Sequence, residues 1–263
     1  MVQANASPPG SGAQLMISRC VSAPRLFVDA PLDPQRVVAV DRGQANYLVN
    51  VMRLKAGDGV LVFNGRDGEW RAEIAPDGRK AAGLVIKERI REQSPRRDLL
   101  YLFAPLKHAR LDYLVQKAVE MGAGSLRPVF TRRTQSARVN LERMRANVVE
   151  AAEQCGVLAL PDVLAEQDFE RAVNALEPDR LVVFCDEEAP VSNPISALSA
   201  ARNSNDKLAV VLGPEGGFTD EERALVAAHP GCVRISLGPR ILRADTAGVA
   251  ALAIVQSVLG DWR

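Results

Sequence analysis

The sequence predicts an α/β protein in two parts: a small β-rich domain, then a larger domain built on a parallel sheet covered by helices. Three observations carry this. Residues 25–92 break into short strand-like runs around one helical stretch. After Asp98 wholly apolar runs alternate with amphipathic ones, the pattern of a parallel sheet with helices on its faces. Between the two lies a polar segment with a proline, Gln93-Ser94-Pro95-Arg96-Arg97-Asp98, which places the boundary. The expected domains are therefore 25–94 and 95–263. Residues 1–24 carry one charge, Arg19, and read as a loose leader, with Met16 offering a second start; they lack the basic start and apolar core of a signal peptide.

In the first domain RLFVD and RVVAV are short strands, and Gln44 to Met52 is a helix. GVLVFNG, EWRAEIA and GLVIKERI follow as strands, with turn chemistry at Asn64-Gly65 and Pro76-Asp77-Gly78. About five short strands in so few residues suggest a small barrel. In the second domain LLYLFA is a buried strand. Ala109 to Met121 is a helix whose Leu111, Leu114, Val115, Ala118 and Val119 share one face, stopped by Gly122. Residues 126–130 form a strand, and the stripe Leu141, Met144, Val148, Ala151, Ala152 and Cys155 forms a helix stopped by Gly156. LVVFC at 181–185, LAVVL at 208–212 and CVRISL at 232–237 are strands, and Asp245 to Leu259 is the last helix.

Composition narrows the function. Hydrophobic residues at 47% and charged residues at 25% are those of a globular protein and exclude wholesale disorder. The longest apolar run, Ala247 to Val255, is too short to span a membrane. Cys20, Cys155, Cys185 and Cys232 are scattered, and only His108 and His229 are available as co-ligands, so neither a zinc site nor a disulfide scaffold is expected. They read as reduced thiols of a cytoplasmic protein. The net charge is only +1, but residues 95–146 hold 11 basic and 4 acidic residues, a net of +7, while residues 147–263 hold 9 and 18, a net of −9. Clustered Arg and Lys supply the electrostatic part of nucleic-acid binding.

Two loops leave strands of the second domain where ligands of open parallel sheets sit. LGPEGGF, Leu212 to Phe218, has three glycines and runs into a helix that Thr219 caps, with Glu222 completing a capping box. LGPRILRADTA, Leu237 to Ala247, carries Arg240 and Arg243 into the last helix, with Asp245 or Thr246 near its N-cap. Neither loop is a GxGxxG fingerprint, and the chain has no GxxxxGK[ST], which disfavours nicotinamide and nucleoside-triphosphate enzymes.

LGPEGGF followed by LGPRILRADTA resembles the cofactor loops of the SPOUT methyltransferases. More narrowly, the chain resembles the RsmE family of ribosomal RNA uridine methyltransferases. QKAVEMG (Gln116 to Gly122) and EAAEQCG (Glu150 to Gly156) with Pro161 resemble that family's helix motifs. RLFVD and YLVNVMRLKAGDGVLVFNG (Tyr47 to Gly65) resemble its N-terminal RNA-binding domain. Two positions depart from its usual pattern: Asn46 stands where a histidine is usual, and Val157 where an arginine is usual.

The resemblance implies a PUA-like RNA-binding domain followed by a SPOUT domain with a C-terminal trefoil knot, and a homodimer acting on 16S rRNA in the small ribosomal subunit. The cofactor it implies is S-adenosylmethionine, lined by Leu212, Gly213, Glu215 and Gly217 on one side and Leu237, Gly238, Ile241, Leu242 and Arg243 on the other. No metal or membrane is implied. The implied reaction methylates N3 of a uridine, a nitrogen that must first lose its proton. Arg243 is the candidate cation for the uracil anion. Glu215 is the candidate base, or else a cofactor contact near the sulfonium; His108 and Arg110 follow as secondary candidates. Arg25, Arg53, Arg132 and Arg133 are the expected RNA contacts. Ribose 2′-hydroxyl methylation and a non-catalytic role in RNA binding or ribosome assembly stand as alternatives.

Overall fold

The computed structural model describes residues 23–75, 83–136, 138–190, 193–202 and 206–262; the expected leader 1–24, the turn at Pro76-Asp77-Gly78 and Cys20 lie wholly or almost wholly outside these. The chain divides into two compact units between Gln93 and Ser94.

The first unit contains β1 (Arg25–Phe27), β2 (Val37–Ala39), α1 (Arg42–Asn46), β3 (Gly59–Phe63), β4 (Glu69–Ile74) and β5 (Gly83–Arg91). They form one five-stranded sheet in the order β1-β3-β4-β5-β2, with β1 parallel to β3 and the other pairs antiparallel. Alternation in β4 and β5 puts Ala72, Ile74, Leu84 and Ile86 on the inner face with Val60, Val62 and Leu48. The expected helix begins at α1, where Asp41 and Gln44 make a capping box, and continues over Tyr47–Val51 as a single π turn that inserts Leu48 into this core. At Asn64-Gly65 the buried Asn64 Oδ1 accepts the N–H groups of Arg66 and Asp67, both at 2.9 Å.

The second unit contains β6 (Leu99–Phe103), α2 (His108–Glu120), β7 (Ser125–Phe130), α3 (Leu141–Cys155), β8 (Asp162–Val163), β9 (Gln167–Asp168), α4 (Phe169–Asn174), β10 (Leu181–Cys185), α5 (Pro194–Ala201), β11 (Leu208–Leu212), α6 (Asp220–Ala227), β12 (Cys232–Ile235) and α7 (Ala244–Val258). Its sheet runs β12-β10-β11-β6-β7-β8, with β9 also on β7, and every pairing is parallel. β10 and β11 are buried along their whole length, which is why they read as continuous apolar runs. Gly156 ends α3 in the left-handed conformation at φ 79°, as its position after the apolar stripe predicts.

β12 lies at the sheet edge, yet the helix that follows it, α7, packs back over β11 and against α2 and α5. Gln256 of α7 fastens this return: its Nε2 donates to the Met121 carbonyl at 2.6 Å, and its Oε1 accepts the Asp261 N–H at 3.2 Å. Among the described residues no helix is long and apolar enough to cross a membrane.

Candidate active site

Because the strands of the second unit are parallel, the loops after β6, β7, β10, β11 and β12 leave from one edge of the sheet. Arg110, in the first turn of α2, links two of the elements that carry them. Its Nε and Nη2 donate to the Asp245 carboxylate at 2.9 and 3.3 Å, and its Nη1 donates to Glu215 Oε1 at 2.6 Å. Asp245 opens α7, and Glu215 lies in the loop after β11. One planar guanidinium therefore joins the ends of both glycine-containing loops. The Arg110 hydrogen bonds hold the Asp245 carboxyl below its ordinary value of 3.8, and the same contact raises the pKa of Arg110.

This corrects the expected cap. The N-cap position of α7 is Arg243, with no side-chain capping bond, while Asp245 is turned to Arg110 and accepts the Thr246 N–H. At α6 the expected capping box is present: Thr219 Oγ1 accepts the Glu222 N–H at 3.3 Å, and Glu222 Oε2 accepts the Thr219 N–H at 2.9 Å.

The structure places the other expected site residues as follows. Leu212 is buried at the end of β11. Gly213 lies under the Phe218 ring, whose edge is 2.6 Å from where a Cβ would stand. Gly217 is left-handed at φ 68°, and a Cβ there would come within 2.5 Å of Glu187. Leu237 and Leu242 are half-buried, Gly238 is exposed at φ 102° with open space beside it, and Ile241 is 103% exposed. Arg243 is exposed, and its side chain has no partner among the described residues.

The turn after β7 meets the loop after β11 directly. The backbone N–H of Arg132 donates to Glu222 Oε1 at 2.8 Å, and Arg133 Nη1 donates to the Gly216 carbonyl at 2.8 Å. The basic segment is much thinner here than its composition suggests. Arg96, Arg97, Arg110, Lys117, Arg143 and Arg145 are all in ion pairs, with Asp162, Asp261, Glu215 and Asp245, Glu120, Asp112, and Glu142 respectively. Burial lowers the pKa of Arg127, which donates to Gln167. The cations of this segment with no carboxylate within ion-pair distance among the described residues are Lys107, Arg127, Arg132, Arg133 and Arg138, of which Arg132 and Arg133 are adjacent in the turn after β7.

Arg25 and Arg53 belong to the first unit. Arg25, expected as an RNA contact, is paired with Glu69 and lies 4.0 Å over the Phe63 ring. Its side chain is 11% exposed. Arg53 is exposed, with a left-handed backbone at φ 57°.

The loop after β10 was not singled out from sequence, and it carries the most buried charge of the site. Asp186 is fully buried; its Oδ1 accepts Arg223 Nε of α6 at 3.2 Å and its Oδ2 accepts Arg234 Nη2 of β12 at 2.5 Å. It thereby ties the elements that bear both glycine loops. The acid run Asp186-Glu187-Glu188 directly after a buried strand was the available signal. Beside it, burial pushes the Cys185 thiol up to about 12, which leaves no thiolate for nucleophilic chemistry. The Tyr101 hydroxyl is fully buried and has no partner among the described residues.

The domain family described as RNA methyltransferase domain matches residues 92–256, and the one described as RNA methyltransferase PUA domain matches residues 40–87. A ribosomal RNA small subunit methyltransferase E of Rickettsia conorii is 31% identical over 88% of this chain and 94% of its own length. One from Synechocystis is 33% identical over 95% of this chain and 80% of its own length. Among solved structures, a putative methyltransferase of Legionella pneumophila in complex with its bound cofactor SAM is 25% identical, with a TM-score of 0.76 over 90% of this chain and 98% of that one. The Neisseria gonorrhoeae ribosomal RNA small subunit methyltransferase E, at 24% identity, shares the fold with a TM-score of 0.81 over 92% of this chain and 100% of that one.

Proposed function

This chain belongs to the ribosomal RNA small subunit methyltransferase E family, and from that premise we infer that it transfers a methyl group from S-adenosylmethionine to N3 of a uridine in 16S rRNA. The observation that carries the reading is the pair of loops Leu212–Phe218 and Leu237–Ala247, joined through Arg110 at the C-terminal edge of the sheet.

The residues present suit this cofactor. Ile241 is fully exposed, Leu237 and Leu242 are half-buried, and open space adjoins Gly238, so apolar side chains of this loop are available to a planar adenine. Gly213, Gly217 and Leu212 form the opposing loop. Glu215 has one carboxylate oxygen on Arg110, and its Oε2, with no partner among the described residues, is left for a cofactor group or the uracil. S-adenosylmethionine supplies a methyl activated by a positive sulfur.

The protein's part is to orient the uridine, exclude its pairing partner and stabilise the N3 anion. N3 lies on the Watson–Crick edge, so the base must be unpaired or flipped before it reaches the site. Arg243, without an internal partner at the positive end of α7, faces that anion. Glu215 is the base or a cofactor contact. Arg132 and Arg133, with Arg53 and the PUA-like unit, hold the RNA backbone.

The C-terminal return of α7 forms the trefoil knot, and the molecule acts in the cytoplasm as a homodimer on the small ribosomal subunit. The half-buried face of α7, Val249, Ala250, Ala253 and Ile254, supports the dimer. Calorimetry tests the cofactor. Micromolar or tighter binding of S-adenosylmethionine or its demethylated product is expected, and binding of neither overturns the reading.

A further inference from the structure

Arg132 and Arg133 are fastened to different elements, Arg132 to α6 and Arg133 to the loop after β11. Arg132 is held by its backbone N–H, which donates to Glu222. Arg133 is held by its side chain: Nη1 donates to the Gly216 carbonyl, and its Cβ and Cδ lie 3.4 and 3.6 Å from where a Gly216 Cβ would stand. The turn that carries them is stiff, because the Thr131 N–H and Oγ1 both bond to Thr134 Oγ1 at 2.9 Å. Arg133 is exposed, and its other donors have no partner among the described residues. It therefore has a carbonyl of the glycine loop on one side and solvent on the other.

We propose that Arg133 is a positioning residue that couples RNA binding to cofactor binding. Its Nη1 fixes the Gly216 carbonyl, and with it the shape of the loop, while its remaining donors take an RNA phosphate. The inference rests on the reading of Leu212–Phe218 as the cofactor loop. A phosphate on the guanidinium holds the side chain in the arrangement that reaches Gly216. RNA and cofactor then favour the same arrangement, and each tightens the other by the same factor. A lysine at 133 keeps a charge for RNA, but its donors share one nitrogen, so it lacks the planar fork whose separate nitrogens can face the Gly216 carbonyl and a phosphate on different sides. Removing the Arg132 side chain leaves its backbone anchor in place.

The test measures S-adenosylmethionine affinity by calorimetry at fixed salt, with and without saturating unmethylated 16S rRNA transcript. The wild type should tighten by about fivefold or more when RNA is present. Arg132→Ala should bind RNA more weakly yet keep that tightening. Arg133→Lys should keep most of the RNA affinity and lose the tightening, and Arg133→Ala should lose the tightening and part of the RNA affinity. No tightening in the wild type, or full tightening in Arg133→Lys, overturns the coupling. Absence of cofactor binding in every protein, with or without RNA, instead overturns the methyltransferase reading.

Discussion

Asp186 has its whole carboxylate buried between Arg223 and Arg234, so removing its charge takes the carboxylate from Arg234 and leaves Arg223 with only the exposed Glu187, Glu188 and Asp220. Losing charge-assisted hydrogen bonds of this kind costs about 1.5–3 kcal/mol, and Asp186→Asn should show a loss of that order in urea unfolding. Burial opposes its ionisation, but hydrogen bonds from Arg234, the Glu188 N–H and Arg223 outweigh that and hold its pKa below 3.8. A lowered folded-state pKa means the contribution is complete above the unfolded value and is lost as pH falls through the folded one. Wild type should therefore lose stability more steeply than Asp186→Asn below pH 3.8. Tyr101 gives the opposite sign: its hydroxyl is buried without a partner, so Tyr101→Phe should raise stability by about 1 kcal/mol or more, measured by thermal unfolding. At Arg243, Arg243→Ala should keep the fold and lower single-turnover methyl transfer by about 10²–10³-fold with both ligands saturating. Arg243 is proposed from the sequence because its loop motif singles it out. The acid run at Asp186 marks the loop but not its partners, which lie 37 and 48 residues away with no spacing rule to connect them.

The helices α2 and α3 were legible because each carries an apolar stripe and a glycine stop, and β10 and β11 because both faces are buried. β8 and β9, two residues each, are too short to show any period. The π turn at Tyr47–Val51 was read as plain helix, because one extra residue in a turn leaves no mark on composition. Strand neighbours were equally hidden. β11 lies between β10 and β6, with Leu208 opposite Leu99 and Leu181, and a period of two does not say which strand is adjacent. The packing of α7 turns on Gly248: a Cβ there would come within 2.5 Å of the Tyr101 hydroxyl and 2.6 Å of Leu114. Gly248→Ala should cost about 1–3 kcal/mol in chemical unfolding, despite the better helix propensity of alanine, because overpacking wins in a closed core.

The charge of the whole molecule was legible as a sum and misleading as a surface. Six of the eleven cations of residues 95–146 are paired with carboxylates of the same unit, and among the others the adjacent Arg132 and Arg133 are exposed in one turn. Replacing Arg132 and Arg133 together by alanine should therefore flatten the log–log salt dependence of RNA binding by up to about two units. Because Arg133 also holds Gly216, that pair should weaken cofactor binding as well. Light scattering should give a dimer at micromolar concentration; a single 28.4 kDa species would contradict it. The most direct test of the central claim is nucleoside mass spectrometry of small-subunit RNA, taken from cells that lack the protein and then incubated with purified protein and S-adenosylmethionine. N3-methyluridine should be missing from the RNA before incubation and present after it. Unchanged RNA, or a methyl found on a ribose 2′-oxygen instead, would contradict the account.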